Sequence, residues 1–179
     1  MKKLSPIKDI KSQNKIIKLL ETKADNRVTM FRKLSVKTGF RTSTMCSIKL
    51  NNINFENKTI SAIEGKTNKK ITMPLSNKII QELEKYIADN NITNYLFEAK
   101  RTGHISRAWI YSKLAIVKSI IKNFSCYCSR KTFAYNCYIA SNCNINLVQE
   151  LLQHSSPSIT RRYLCLDEED FRSVIDLIG

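Results

Sequence analysis

Four glycines and three prolines are all the punctuation available to this 179-residue chain, and that scarcity constrains its fold more than any other feature. Left-handed turns, caps and kinks draw on these two residues. A chain so poor in them is read as a compact, mainly helical domain with short connections. No internal repeat or low-complexity linker divides it, and its length suits one folding unit, taken here as 1–179. Hydrophobic residues at 42% and charged residues at 25% exclude wholesale disorder and a membrane protein. No segment approaches the ~18 apolar residues of a membrane span. The opening residues lack the apolar run of a signal peptide, so a cytoplasmic, nucleoid-associated protein is expected.

The hydrophobic period changes along the chain. A first helix is predicted from Ser5 as cap and Pro6 as first helical residue to about Glu21, on the stripe Ile7, Ile10, Ile16, Ile17, Leu19 and Leu20. A second runs from about Asn26 to Lys37 and stops at Gly39. Thr59 to Glu64 and Lys70 to Leu75 are β-prone runs around a Gly65-Lys66-Thr67-Asn68 turn, a hairpin with its basic turn exposed. Helical patterns return at 77–89, at 106–122 behind the capping Ser106, at 130–141 and at 145–153. Ser156-Pro157 starts a short helix, and 168–178 reads as an acidic amphipathic tail helix with Phe171, Val174, Ile175 and Ile178 as its apolar stripe. The fold class is α+β, mainly α, with a small antiparallel sheet.

Charge indicates the partner. Thirty Lys and Arg against fifteen Asp and Glu leave +15, an excess that repels itself unless it meets a polyanion, and nucleic acid is the first one to consider. The excess is uneven: residues 1–49 hold thirteen basic and three acidic side chains, whereas 164–179 hold one and five. The acidic tail is expected to pack on protein. Six cysteines include only one close pair, Cys126-x-Cys128, with no second knuckle to complete a zinc site. They are read as reduced, mostly buried thiols, and no metal is assigned.

The segment from Leu151 to Tyr163 holds most of the chemistry. His154 falls where a helix should end, and Tyr163 follows a Ser-Pro helix start nine residues on, so one turn can bring imidazole and phenol to the same surface. Each residue alone has a plainer reading: a histidine at a helix C-terminus, an amphipathic packing tyrosine. Arg41 directly after the glycine stop, Lys66 in the basic turn and Arg130 at a helix start add two guanidiniums and an amine in a fixed chain order. His104, before a capped helix, is read as a loop residue.

Those five positions resemble the catalytic domain of the tyrosine recombinases, the family of phage integrases, and the resemblance covers nearly the whole chain. Gly39-Phe40-Arg41 resembles the family's T-G-L-R-x-S-E box. Gly65-Lys66 through Pro74-Leu75 resembles its G-K-G-x-K-x-R-x-V-P-L hairpin. Arg130-Lys131-Thr132-Phe133-Ala134 resembles R-H-T-F-A, and Leu151-Leu152-Gln153-His154-Ser155-Ser156 resembles L-L-G-H-S-S. Tyr163 stands at the nucleophile position.

The resemblance implies site-specific recombination of double-stranded DNA through a 3′-phosphotyrosyl intermediate, with no cofactor or metal. Arg41 and Arg130 would neutralise the scissile phosphate, Lys66 would act as general acid, His154 would assist the phosphate or the phenol, and Tyr163 would attack. Lys69, Lys70, Lys131, Arg161 and Arg162 are the expected DNA contacts. The protein would be a homotetramer on DNA and a monomer or weak oligomer when free, with the tail helix docking on a neighbouring protomer and Tyr163 free to be displaced until DNA is bound. The family's N-terminal core-binding domain is taken as absent. Three residues depart from the pattern: Tyr127 stands at the histidine of H-x-x-R, Thr44 replaces the acid of the first box and thereby removes a partner for Arg41, and Gln153 replaces a glycine. The alternative is a catalytically weak DNA-binding regulator derived from the same fold.

Overall fold

The computed structural model describes residues 4–65, 68–100, 102–166 and 176. Its elements in chain order are α1 (Ile10–Lys23), α2 (Asn26–Thr38), α3 (Thr42–Cys46), β1 (Ile53–Asn54), β2 (Thr59–Glu64), β3 (Lys69–Pro74), α4 (Asn77–Asp89), β4 (Glu98–Ala99), β5 (Gly103–His104), α5 (Arg107–Lys113), α6 (Tyr127–Ala140), α7 (Ile145–Leu152) and α8 (Pro157–Leu164). The tail helix expected over 168–178 lies outside the described residues, apart from Asp176, and so does Lys66. Among the described residues no helix is long and apolar enough to cross a membrane.

The core is built around α2, which packs on α1, α4 and α6. Val28, Phe31 and Leu34 of α2 are buried against Ile16 and Leu20 of α1, Leu83 of α4 and Phe133 of α6 in one continuous cluster. All the helices except α3 and α6 begin where side-chain oxygens accept the otherwise unpaired first-turn N–H groups, at Asp9, Asp25, Ser76, Ser106, Asn144 and Ser156. A three-stranded antiparallel sheet in the order β1-β2-β3 lies at the edge of this bundle. Its register pairs Ile60 with Met73 and Ala62 with Ile71, and these four side chains are buried. The opposite face carries Ser61 and Thr72, whose hydroxyls meet at 2.7 Å. Period two therefore turns residues 60, 62 and 64 inward.

Several boundaries differ from the sequence expectation. The first helix starts behind Asp9, not Ser5, because the Asp9 carboxylate accepts from the N–H groups of Lys11 and Ser12. Residues 4–8 instead cross α6, where Ile7 is buried and its N–H donates to Thr132 Oγ1 at 2.9 Å. The segment expected as one helix over 106–122 is α-helical only to Lys113 and continues as a 3₁₀ turn over Leu114–Ser119. The tighter turn lines up Leu114 and Val117 three residues apart, and both are buried. Helix α6 begins at Tyr127, nearly a turn before Arg130, so that Tyr127, Arg130 and Lys131 share one face. The short α3 and the strand β1 lie in a stretch to which no element was assigned from sequence.

Candidate active site

Gly39 ends α2 with φ 65°, the left-handed conformation that turns the chain out of the helix. A Cβ there would lie 2.2 Å from the Phe133 ring, so glycine is needed for packing as well as for backbone conformation. The exit places Arg41 at the cap of α3 in extended backbone, and it leaves the Gly39 carbonyl facing α6. Arg130 Nη1 donates to that carbonyl at 2.6 Å, and Arg130 Nη2 donates to the Leu152 carbonyl at the end of α7 at 2.9 Å. A buried cation here satisfies carbonyls at the ends of two helices, where partial negative charge favours it.

Both arginines meet one carboxylate, that of Glu64. It accepts from Arg41 Nη1 and, at 3.0 Å, from the Arg41 backbone N–H, while Arg130 Nη1 lies 3.3 Å from Oε1. Glu64 is completely buried and Arg130 is 5% exposed. Desolvation lowers the Arg130 pKa, and the nearby Tyr163 and Glu64 oppose that shift. The partner removed with the first-box acid is thus supplied from strand β2. Sequence reading did not single out Glu64. The available signal was its parity, since a charged residue in step with Ile60 and Ala62 must point inward and find counter-charge.

Helix α7 ends at Gln153 in the left-handed region, φ 53°, and the chain then passes His154 before α8 starts behind Ser156 with Pro157 in its first turn. His154 Nδ1 lies 3.0 Å from Thr160 Oγ1. Burial, with Arg130 and Arg41 nearby, pulls the His154 pKa down to about 4, so the ring is neutral at pH 7. Its ring meets the Tyr163 ring edge to face at 5.0 Å, and the Tyr127 ring meets Tyr163 at 5.5 Å.

Tyr163 is only 8% exposed and is packed in place, not displaced. Its buried hydroxyl lies near Tyr127 and Arg130 but meets no partner in full hydrogen-bond geometry among the described residues. Burial raises its pKa well above the ordinary tyrosine value, with Arg130 opposing. Four predicted residues, Arg41, Arg130, His154 and Tyr163, are therefore brought together, with Tyr127 at their edge.

The expected DNA contacts divide. Lys69 and Lys70 are exposed on β3. Arg161 and Arg162 are exposed on α8 but border Tyr138, Cys143 and Ile145, and not the arginine pair. Lys131 faces inward: it is 6% exposed, donates to the Leu4 carbonyl at 2.7 Å, lies 3.2 Å from Cys165 Sγ and sits 5.3 Å above the Tyr163 ring. Its position one residue after Arg130 turns it toward the strap at residues 4–8 and not outward. His104, read as a loop residue, lies in β5 and stacks on Tyr95.

The model of the phage integrase family matches residues 9–170. The probable integrase/recombinase YoeC of Bacillus subtilis (strain 168) is 36% identical over 121 residues, covering 66% of this chain and 66% of that protein. The crystal structure of XerA recombinase superposes with a TM-score of 0.80 at 18% identity, covering 97% of this chain and 65% of the other. The Tn1549 transposon integrase in complex with a circular intermediate DNA gives 0.76 at 16% identity, covering 98% and 66%. The chain thus spans slightly less than two thirds of the first of these proteins and of each of the two solved chains. With the match running from α1 through α8 and the two arginines, histidine and tyrosine meeting at one place, this chain belongs to the phage integrase family.

Proposed function

We propose that the chain cleaves and rejoins double-stranded DNA as a site-specific recombinase, with Tyr163 as nucleophile. The observation that carries this reading is the meeting of two guanidiniums, a neutral imidazole and a phenol from α6, α8 and the connections after α2 and α7. In-line attack on a phosphodiester builds charge on the nonbridging oxygens, and planar guanidinium forks match that charge. Arg41 and Arg130 take this role. Tyr163 Oη attacks phosphorus to form the 3′-phosphotyrosyl bond as the bond to the 5′ oxygen breaks. Neutral His154 receives the phenolic proton or donates to the phosphate, Tyr127 supplies a hydroxyl where the family has histidine, and Lys66 protonates the leaving oxygen. The phosphotyrosyl bond conserves the energy for rejoining, so this sequence of steps calls for neither ATP nor metal. Lys69 and Lys70 hold the DNA backbone.

Recombining two duplexes breaks four strands and each copy supplies one nucleophile, so four copies act on a synapsed pair, at the nucleoid. The Tn1549 integrase, with the same fold, was solved in complex with DNA, which supports this substrate. The reading as a catalytically weak regulator drew on Thr44 and Tyr127. Glu64 in contact with Arg41 and a phenol beside Tyr163 weaken both grounds.

The test is incubation with a pool of nicked duplexes of randomised sequence, in which loss of the short strand traps the intermediate. An SDS-stable protein–DNA adduct is expected from the wild-type chain and none from Tyr163→Phe. Arg130→Ala should lower the adduct rate by roughly 10²- to 10³-fold. Adduct of equal yield from Tyr163→Phe would overturn the assignment of the nucleophile.

A further inference from the structure

The geometry assigns Glu64 as a positioning residue that sets the two phosphate-binding guanidiniums against each other and ties strand β2 to them. This inference rests on the recombinase reading above and extends it to a residue that takes no part in the steps proposed there. Three observations lead to it. First, Glu64 is completely buried, and an ionised carboxylate is held there only if its lone pairs are matched by fixed donors. Arg41 supplies a backbone and a guanidinium N–H, and Arg130 supplies Nη1.

Second, two cations directed at one phosphate repel each other in the free protein, and an anion bonded to both offsets that repulsion. The Arg130 fork is then fully oriented, with Nη1 on Gly39 and Glu64 and Nη2 on Leu152. Arg41 is held through Nη1, which leaves its Nε and Nη2 outside these bonds.

Third, Glu64 is the last residue of β2, and its carbonyl accepts the Asn68 N–H at 2.8 Å to close the turn. One residue therefore anchors the base of the turn through its backbone and the arginine pair through its side chain. The consequence is geometric: a Glu64 variant should bind DNA but present the phosphate to mis-set donors.

The test uses the full chain with Glu64→Gln, which keeps the shape and removes the charge. Binding to a mixed-sequence duplex should be unchanged or tighter, because a negative charge is removed. The adduct rate on the randomised nicked pool should fall by about 10²-fold, the usual effect of a small misplacement of catalytic groups. In ¹⁵N spectra of the arginine side chains of the free protein, exchange of the Arg41 guanidinium with water should rise by about 10-fold or more, as expected on losing a charge-assisted hydrogen bond. Glu64→Asp covers the case in which the glutamine variant does not fold: it keeps the charge but shortens the reach, and should also bind DNA and cleave slowly.

Unchanged Arg41 exchange in Glu64→Gln, or a wild-type adduct rate in either variant, would overturn the assignment. So would a loss of DNA binding that parallels the loss of rate, since that marks a merely structural residue. If the wild-type chain itself gives no adduct, the recombinase reading falls, and the arginine spectra then decide whether Glu64 orients the pair.

Discussion

His154 shows how local environment sets the chemistry of a single residue. Its folded pKa of about 4, depressed first by burial and then by Arg130 and Arg41, lies below the unfolded value of ~6.5. The unfolded chain therefore binds more protons between these values, and the neutral ring's contribution to stability is complete above about pH 6.5 and lost as pH falls toward 4. Urea midpoints of the wild type and His154→Gln, compared across this range, should differ by a constant amount above pH 6.5. Below it the wild type should lose ground, and a pH-independent difference would refute the depressed value. Arg41, Arg130, His154 and Tyr163 were legible in the sequence because each combines a distinctive side chain with a local stop or start signal. Glu64 was not, because its role depends on which strand face turns inward. Lys131, expected as a DNA contact, faces inward because a distant strap, Leu4, covers it, and a lysine beside Arg130 gives no local sign of that.

Two helix ends control where the reactive groups stand. Gly39 combines a positive φ with a site where an added Cβ would meet Phe133 at 2.2 Å, and its carbonyl holds Arg130. Gly39→Ala should therefore destabilise the fold by about 2–4 kcal/mol, from left-handed strain and overpacking together. Gln153 is the opposite case, a non-glycine residue in the left-handed region at the end of α7. Gln153→Gly should raise stability by about 1 kcal/mol, since the Cβ penalty is removed. Thermal unfolding of both variants checks the pair; a destabilised Gln153→Gly would mean that the glutamine side chain's contacts outweigh the strain.

The same contrast explains how the elements read from sequence. The hairpin and α4 were found because period and caps agree. The α1 start was misplaced because a serine-proline signal competed with Asp9, and capping by Asp9 together with the burial of Ile7 decides between them. The break after Lys113 has no cap or glycine to announce it. It follows from packing Leu114 and Val117 into the core.

At the scale of the whole molecule, the proposed function has the charge of +15 govern encounter with DNA and the buried site govern chemistry. Binding to duplex DNA should weaken steeply with salt, by about 10³-fold or more between 50 and 200 mM if six or more phosphates are contacted. Fluorescence anisotropy with a mixed-sequence duplex measures this, and a flat response would point to a protein partner. Mainly helical architecture and basic character were both legible from composition and period. The convergence of α2, β2, α6, α7 and α8 on one place was not, because it arises from contacts between residues distant in sequence, such as Arg130 with Gly39 and with Glu64.

The phenols of Tyr163 and Tyr127 lie side by side, with rings 5.5 Å apart, so the most direct test is to locate the covalent bond. Adduct formed on the randomised nicked pool, digested with nuclease and trypsin, should carry its nucleotide remnant on Tyr163 by fragment mass spectrometry. A remnant on Tyr127, or on any residue other than Tyr163, would contradict the account.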